Sequence, residues 1–397
     1  PKTSITLIIM EGTKTRPEIG RFFGFDHVLF WVGNAYQAAS FYCSRFGFEY
    51  LAYQGLQTGE RNYATHVVQA GKIRFAFASS YGPYEHKDET MAKHLTQHGD
   101  GVRDIAFGVE DAVKVYETAI SRGAKCAGKP RTISDEHGTV ILASVHTYGD
   151  TIHTFVQRKV DGKEYTGVFL PGFKEHFLKD PLNEVLPATK LDIIDHIVGN
   201  GYENDMVPTA DWYEKTLDFH RFWSIDDKMM HTDYSALNSI VMADFDEVIK
   251  MPINEPAKGK KKSQIQEYCD FYAGAGVQHL ALKTENIIDA VAALRKRGVD
   301  FLPIPKSYYD NFRKALPNLN IKVQEDIDTI EKLGLLIDYD DNGYLLQLFT
   351  KPLEDRPTVF IEIIQRRNFG GFGAGNFKSL FKALEDEQDK RGNLTDM

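Results

Sequence analysis

The chain has 397 residues, 26% of them charged and 42% hydrophobic, with a formal net charge of −9 and three cysteines, Cys43, Cys126 and Cys269. That length suggests two or three domains, and the polarity argues against a membrane protein. The acidic balance makes nucleic acid a poor partner, and cysteines so few and far apart support neither a disulfide scaffold nor a thiolate metal site. The apolar opening from Ile5 to Met10, interrupted by Thr6, is too short for a membrane span or a secretory core, so a cytoplasmic location is expected. Thirteen histidines are left without an evident task.

In chain order the first element is a strand, Phe25-Asp-His-Val-Leu-Phe-Trp-Val-Gly-Asn34, followed by the aromatic pair Phe41-Tyr42 and then Phe48. A second strand, Gly101-Val-Arg-Asp104-Ile-Ala-Phe107, leads through an apolar-periodic helix to Arg122-Gly, where a helix C-terminus favours a left-handed glycine. Short β-branched strands such as Thr139-Val-Ile-Leu142 follow. Residues 161–190, rich in Gly, Pro, Lys and acidic side chains, read as a linker. Then the pattern returns. Ile194-Asp-His-Ile-Val-Gly-Asn200 repeats the first strand, Trp212-Tyr213 and Phe219 repeat the aromatic spacing, and Gly276-Val-Gln-His279-Leu-Ala-Leu282 leads to Arg297-Gly. From Asp104 to Arg122 and from His279 to Arg297 the separation is 18 residues in both cases. A shared strand–helix–turn unit accounts for that agreement, so the chain reads as two similar halves, over residues 21–160 and 191–397. The expected fold class is α+β, with mostly antiparallel sheets curved around a cleft in each half.

The repeat supplies an internal control on the histidines. Aligning Phe155-Val-Gln-Arg158 with Ile363-Ile-Gln-Arg366 sets position 154 against 362. Three corresponding positions then read His27, Asp104, Thr154 in the first half and His196, His279, Glu362 in the second. Glu362 stands between Ile361 and Ile363, and burying its carboxylate requires a compensating cation or donor. A lone strand histidine is more often a hydrogen-bonded core residue. Two histidines and a carboxylate together match the facial triad of non-haem Fe(II) oxygenases, and His27 reads as vestigial or structural.

Other signals are weaker. Lys258-Gly-Lys-Lys-Lys262 reads as a solvated loop. Asp338-Tyr-Asp-Asp-Asn342-Gly343 imitates a calcium loop, but Phe349 stands where the bidentate Glu is needed, and Asn342-Gly343 reads as a hairpin turn. Gly370-Gly-Phe-Gly-Ala-Gly375 lacks the Lys-Ser/Thr of a phosphate loop. After it, Phe377, Leu380, Phe381 and Leu384 form a helical stripe that suits either packing or a lid over the cleft. Gln264, Gln278 and Gln347 are candidates to meet a polar substrate group.

The chain resembles the 4-hydroxyphenylpyruvate dioxygenase family, closest to its animal-type members, from about Arg21 onward. The residues that carry the resemblance are Phe30-Trp-Val-Gly-Asn34, Tyr148-Gly-Asp150, Ile194-Asp-His-Ile-Val-Gly-Asn200, His220-Arg-Phe-Trp223, Pro252-Ile-Asn-Glu-Pro256, Lys261-Lys-Ser-Gln-Ile-Gln-Glu-Tyr268, Gly276-Val-Gln-His279 and Gly371-Phe-Gly-Ala-Gly-Asn-Phe-Lys-Ser-Leu-Phe381. The resemblance implies two tandem vicinal-oxygen-chelate domains, each of two βαβββ modules, the first degenerate and the second catalytic with a C-terminal lid helix. It implies Fe(II) held by His196, His279 and Glu362. It places Ser239, Asn254, Gln264, Gln278 and Gln347 in the polar part of a pocket, and Phe349, Phe360, Phe372, Asn376 and Phe377 around the rest. The implied reaction converts 4-hydroxyphenylpyruvate and O2 to homogentisate and CO2 in tyrosine and phenylalanine catabolism, in a homodimeric enzyme. The nearest alternative is 4-hydroxymandelate synthase, although Pro252 and Asn254 fit the dioxygenase pattern better. An extradiol dioxygenase, a glyoxalase-type metal lyase and a non-catalytic binding paralogue are more distant alternatives.

Overall fold

The structure, a computed structural model, describes residues 15–82, 89–225, 236–319 and 321–395. The repeat seen in the sequence becomes two sheets of matching topology, one of nine strands and one of eight. In the first, strand Phe22–Trp31 is followed by helix Ala35–Phe46 and strands Glu49–Gln54, Tyr63–Ala70 and Ile73–Ser80. This βαβββ unit is repeated from strand Gly101–Val109 through helix Ala112–Ser121 to strands Lys125–Asp135, Gly138–His146 and Ile152–Gln157. The two units join through their first strands, Phe22–Trp31 and Gly101–Val109, which pair antiparallel, while each first strand pairs parallel with the last strand of its own unit. The second sheet repeats the arrangement: Leu191–Asn200 pairs antiparallel with Gly276–Thr284, and these pair parallel with Lys250–Ala257 and Phe360–Arg367. The sheets are mostly antiparallel, as expected, with two parallel pairs in each, each pair joined by the crossover within its βαβββ unit.

Local chemistry explains the elements. Asn34 and Asn286 cap their helices by accepting from the backbone N–H of Gln37 and Asp289. The glycines after Arg122 and Arg297 adopt φ of +103° and +81°, as the helix-end reading requires. Asp340 accepts from the N–H groups of Asn342 and Gly343, closing the hairpin between strands Leu336–Tyr339 and Tyr344–Phe349. The final strand begins at Phe360, just after the Thr358 N–H turns back to the Arg356 carbonyl.

Two sequence expectations shift in detail. Residues 161–190 pack on the first half: strand Lys174–Glu175 pairs with Glu49–Gln54, and Tyr165, Phe169 and Leu170 are buried there. The basic run ends in a fastening rather than a free loop, since the Lys262 ammonium reaches Asp270 and its backbone N–H reaches the Thr395 carbonyl.

The halves are bolted together by reciprocal contacts. Arg122 of the first half reaches Asp218, just past helix Met206–Leu217. Arg297 of the second half donates to the Ser44 carbonyl near the end of the equivalent helix, Ala35–Phe46. Between them His153 lies fully buried, its Nδ1 on the Ile105 carbonyl at 3.0 Å and its Nε2 2.7 Å from the Tyr213 hydroxyl. A second joint is formed by His94 and His98, one helical turn apart, on either side of the Asp150 carboxylate at 3.3 and 3.2 Å. His98 also reaches across to the Tyr272 carbonyl, and Arg103 donates to the Asp150 carbonyl from its place over the Trp31 ring.

Burial pushes His94 and His153 down to about 4, so both are neutral in the folded protein and charge only on unfolding near pH 5. Because the unfolded chain then binds more protons, stability falls as pH drops from about 6.5 toward 4. The expected slope in denaturant titrations is about 1.4 kcal/mol per pH unit for each histidine. His153→Gln removes one such increment, and an unchanged slope in that variant contradicts the assignment.

Candidate active site

The central strands of the second sheet, Leu191–Asn200, Gly276–Thr284 and Phe360–Arg367, lie side by side. His196 and Glu362 pair with Ala281 from opposite sides, and His279 stands two residues from Ala281 on the same face. Register alone therefore brings the three side chains to one point on the concave surface. His196 Nε2 lies 3.3 Å from Glu362 Oε2, and His279 Nε2 lies 3.2 Å from the same oxygen. All three residues are buried.

The other nitrogen of each ring is already engaged. His196 Nδ1 lies 2.8 Å from Asp195 Oδ1, and His279 Nδ1 lies 2.9 Å from Gln278 Oε1. With Nδ1 held by these partners, each ring turns its Nε2 toward Glu362, the orientation that metal-ligating histidines take. Burial would raise the Glu362 carboxyl, but the His196 charge and the hydrogen bonds from both imidazoles hold it below its ordinary value. His196 moves the other way: burial lowers it, and Glu362 and Asp195 together carry it above the usual range. His279 is lowered, chiefly by burial. Two imidazole nitrogens and a carboxylate oxygen, poised and dry, form a donor set that fits a divalent transition metal such as iron.

Around the triad is a cavity of about 50 Å³, whose lining includes Ser239, Asn254, Gln264, Gln278, Phe349, Phe360 and Phe372. Ser239 and Asn254 are cross-strand partners, and Gln278 Nε2 donates to Gln264 Oε1 at 3.2 Å. Phe360 stacks on His279 at 4.8 Å, while Phe372 meets His196 edge-on at 5.1 Å. Leu380, Phe381 and Leu384 of helix Phe377–Lys390 close the top. That helix is fastened at its far end by Arg391 on Glu267 and by Gln388 on the Lys262 carbonyl.

The same face of the first half is built differently. The Asp104 carboxylate accepts from the Thr154 hydroxyl and backbone N–H, so the positions of the two missing ligands satisfy each other. The first-half cleft has a volume of about 800 Å³, and the chain beyond its last long strand runs to the sheet edge instead of forming a covering helix.

Comparison with known proteins agrees with this geometry. Residues 24–149 and 193–348 match the family model described as Glyoxalase/Bleomycin resistance protein/Dioxygenase superfamily. The chain is 61% identical to a 4-hydroxyphenylpyruvate dioxygenase of Tetrahymena thermophila, over 96% of this chain and 94% of that protein. It is 56% identical to those of Dictyostelium discoideum, over 94% and 100% of the two chains, and Danio rerio, over 96% and 94%. The chain belongs to the 4-hydroxyphenylpyruvate dioxygenase family. Among solved structures it is similar to a triple mutant of 4-hydroxymandelate synthase from Streptomyces coelicolor, with a TM-score of 0.78 and 27% identity over 92% of this chain and 98% of that one. No helix among the described residues is long and apolar enough to cross a membrane.

Of the residues that the family resemblance assigns to the pocket, Gln347 and Asn376 make their described contacts elsewhere. Gln347 is buried beneath the glycine loop, where its amide lies against Gly373. The side chain of Asn376 meets the Tyr308 hydroxyl at 2.8 Å, at the entrance to the C-terminal helix. Phe377 opens that helix, and its side chain lies outside the described residues. Conversely, Val198, Leu237 and Val241 line the cavity without having been singled out. Their signal was alternation: Val198 follows His196 by two, and Leu237 and Val241 flank Ser239 by two.

Gly373 has φ of +78°, and a Cβ there would come within 2.3 Å of the Gln347 amide nitrogen. Gly373→Ala is expected to cost about 1–2 kcal/mol from the left-handed backbone alone, and to displace the loop that leads into the covering helix. Faster proteolytic cleavage within residues 370–376 is the measurable outcome, and wild-type resistance would contradict it.

Proposed function

We propose that the chain is an Fe(II)-dependent dioxygenase that converts 4-hydroxyphenylpyruvate and O2 to homogentisate and CO2. The observation that carries the reading is the buried convergence of His196, His279 and Glu362 beneath an aromatic-walled cavity in a member of this family. When bound, iron supplies what side chains cannot, the activation of O2 for oxidative decarboxylation of a 2-oxo acid.

The chain's own residues do the rest. His196, His279 and Glu362 hold the metal, with Asp195 and Gln278 fixing the two ring orientations. Gln264, Gln278, Asn254 and Ser239 offer amide and hydroxyl groups that can orient polar substrate atoms without titrating near neutral pH. Phe349, Phe360 and Phe372 give the substrate ring flat apolar walls. Leu380, Phe381 and Leu384 cover it and exclude water from the reactive intermediates. Gln347 and Asn376 serve the pocket indirectly, through the glycine loop and the helix entrance that they contact, and Phe377 is assigned to the pocket by the family resemblance alone.

We assign residues 21–160 to a degenerate domain without a metal, 161–190 to a linker that packs on it, and 191–397 to the catalytic domain. A cytoplasmic homodimer is the assembly proposed. Reduced thiols at Cys43, Cys126 and Cys269 suit that location, and the mass in solution tests the dimer.

Purified enzyme with Fe(II) and 4-hydroxyphenylpyruvate should take up O2 and release CO2 one to one, with homogentisate as the aromatic product. Accumulation of 4-hydroxymandelate would instead select the synthase reading that the structural neighbour suggests. Glu362→Ala and His279→Ala should each lower bound iron and turnover by at least 100-fold while the circular dichroism spectrum stays that of the wild type. Wild-type iron content and activity in either variant would overturn the triad.

A further inference from the structure

We propose that Arg366 is a positioning residue that couples the metal ligand His196 to the C-terminal covering helix. The inference rests on the assignment of His196 as a metal ligand. One guanidinium performs two tasks. Its Nε and Nη2 form a two-point pair with the Asp195 carboxylate, both at 2.8 Å, and Asp195 Oδ1 is the atom that receives the His196 Nδ1 proton. Its Nη1 donates to the carbonyls of Phe369 and Gly371, in the loop that leads into helix Phe377–Lys390. The same guanidinium lies 5.3 Å from the Phe372 ring, and Phe372 returns to His196 at 5.1 Å. His196, Asp195, Arg366 and the loop thus form a closed ring of contacts, with the metal site at one end and the hinge of the cover at the other.

The first half contains the same ring without either function. Arg158 forms a two-point pair with Asp26 at 2.6 and 2.8 Å, Asp26 receives His27 Nδ1 at 2.8 Å, and Arg158 also donates to the Phe169 carbonyl. Phe169 meets His27 edge-on at 5.0 Å, as Phe372 meets His196. There the ring ties a strand end to a loop that runs to the sheet edge, and the neighbouring ligand positions are Asp104 and Thr154. The device is therefore part of the fold, and the second half has attached a metal ligand and a covering helix to a ready-made linkage. A planar fork with five donors can hold a carboxylate and two carbonyls at once, whereas a lysine ammonium cannot span both sides.

Coupling of this kind is reciprocal: if the metal steadies the loop, the ordered loop must strengthen metal binding by the same factor. Hydrogen exchange over residues 368–390 of the full chain, measured anaerobically with and without one equivalent of Fe(II), reads it directly. In the wild type, iron should slow exchange in this segment by about tenfold. In Arg366→Lys the three ligands remain, so iron still binds, but its affinity should fall by a similar factor and the iron-dependent slowing should disappear. Arg158→Lys, which alters the first-half ring, should leave the iron effect unchanged. Asp195→Asn breaks the linkage from its other side and serves if Arg366→Lys fails to fold. Iron-dependent slowing as in the wild type in both second-half variants overturns the coupling, as does wild-type exchange that ignores bound iron. Direct iron analysis separates these results from failure of the metal assignment itself, in which the wild type binds no iron and there is nothing to couple.

Discussion

A carboxylate buried in an apolar strand is the constraint around which the second half is organised. Glu362 lies between Ile361 and Ile363 in the middle of a sheet, where an isolated charge is strongly disfavoured. Its compensation comes from His196 and His279, whose own burial would otherwise leave their inward nitrogens without partners. Each of the three is tolerable only because the other two are there, and each imidazole needs a further partner, Asp195 or Gln278, to turn the right nitrogen inward. Arg366 in turn neutralises Asp195. The polar network ends at backbone carbonyls at and beside the glycine loop, so satisfying one buried charge organises everything from the His–His–Glu cluster to the base of the cover.

The contrast between the halves shows what that network is for. Both sheets curve, both have the same strand order, and both keep the Asp–Arg–His ring. In the first half the ligand positions have closed on each other and an open cleft of about 800 Å³ is left. In the second a helix fills the equivalent space down to about 50 Å³. The fold can thus exist without the metal ligands and without the cover. Their presence together in one half is the ground on which that half is proposed as the site of chemistry.

Five of the other histidines have structural explanations. His153 and the His94–His98 pair lie at joints between the halves, and His66 meets His176 at 2.8 Å where the 161–190 segment returns to the first sheet. Each is a ring with two polar atoms placed where two elements must exchange hydrogen bonds across a dry boundary.

Much of this was legible in the residues. The two halves, the strand–helix–turn unit, the glycine after each Arg and the triad itself follow from spacing, because a repeated module leaves the same apolar and turn residues at the same intervals, whereas the βαβββ order is what the family resemblance implies. The triad could be picked out because the first half supplies its own control, with Asp104 and Thr154 where His279 and Glu362 stand. The attachment of 161–190 to the first sheet, the parallel pairs within each sheet and the reciprocal reach of Arg122 and Arg297 could not be read, since each depends on contacts between segments far apart in the chain. The same holds for Gln347 and Asn376, which face the glycine loop and Tyr308. The sequence by itself determined which residues alternate, cap and turn, and so which side chains share a face. Only the tertiary structure decided which faces meet, because side-chain direction is set locally by backbone geometry while proximity is set by how whole sheets register and pack.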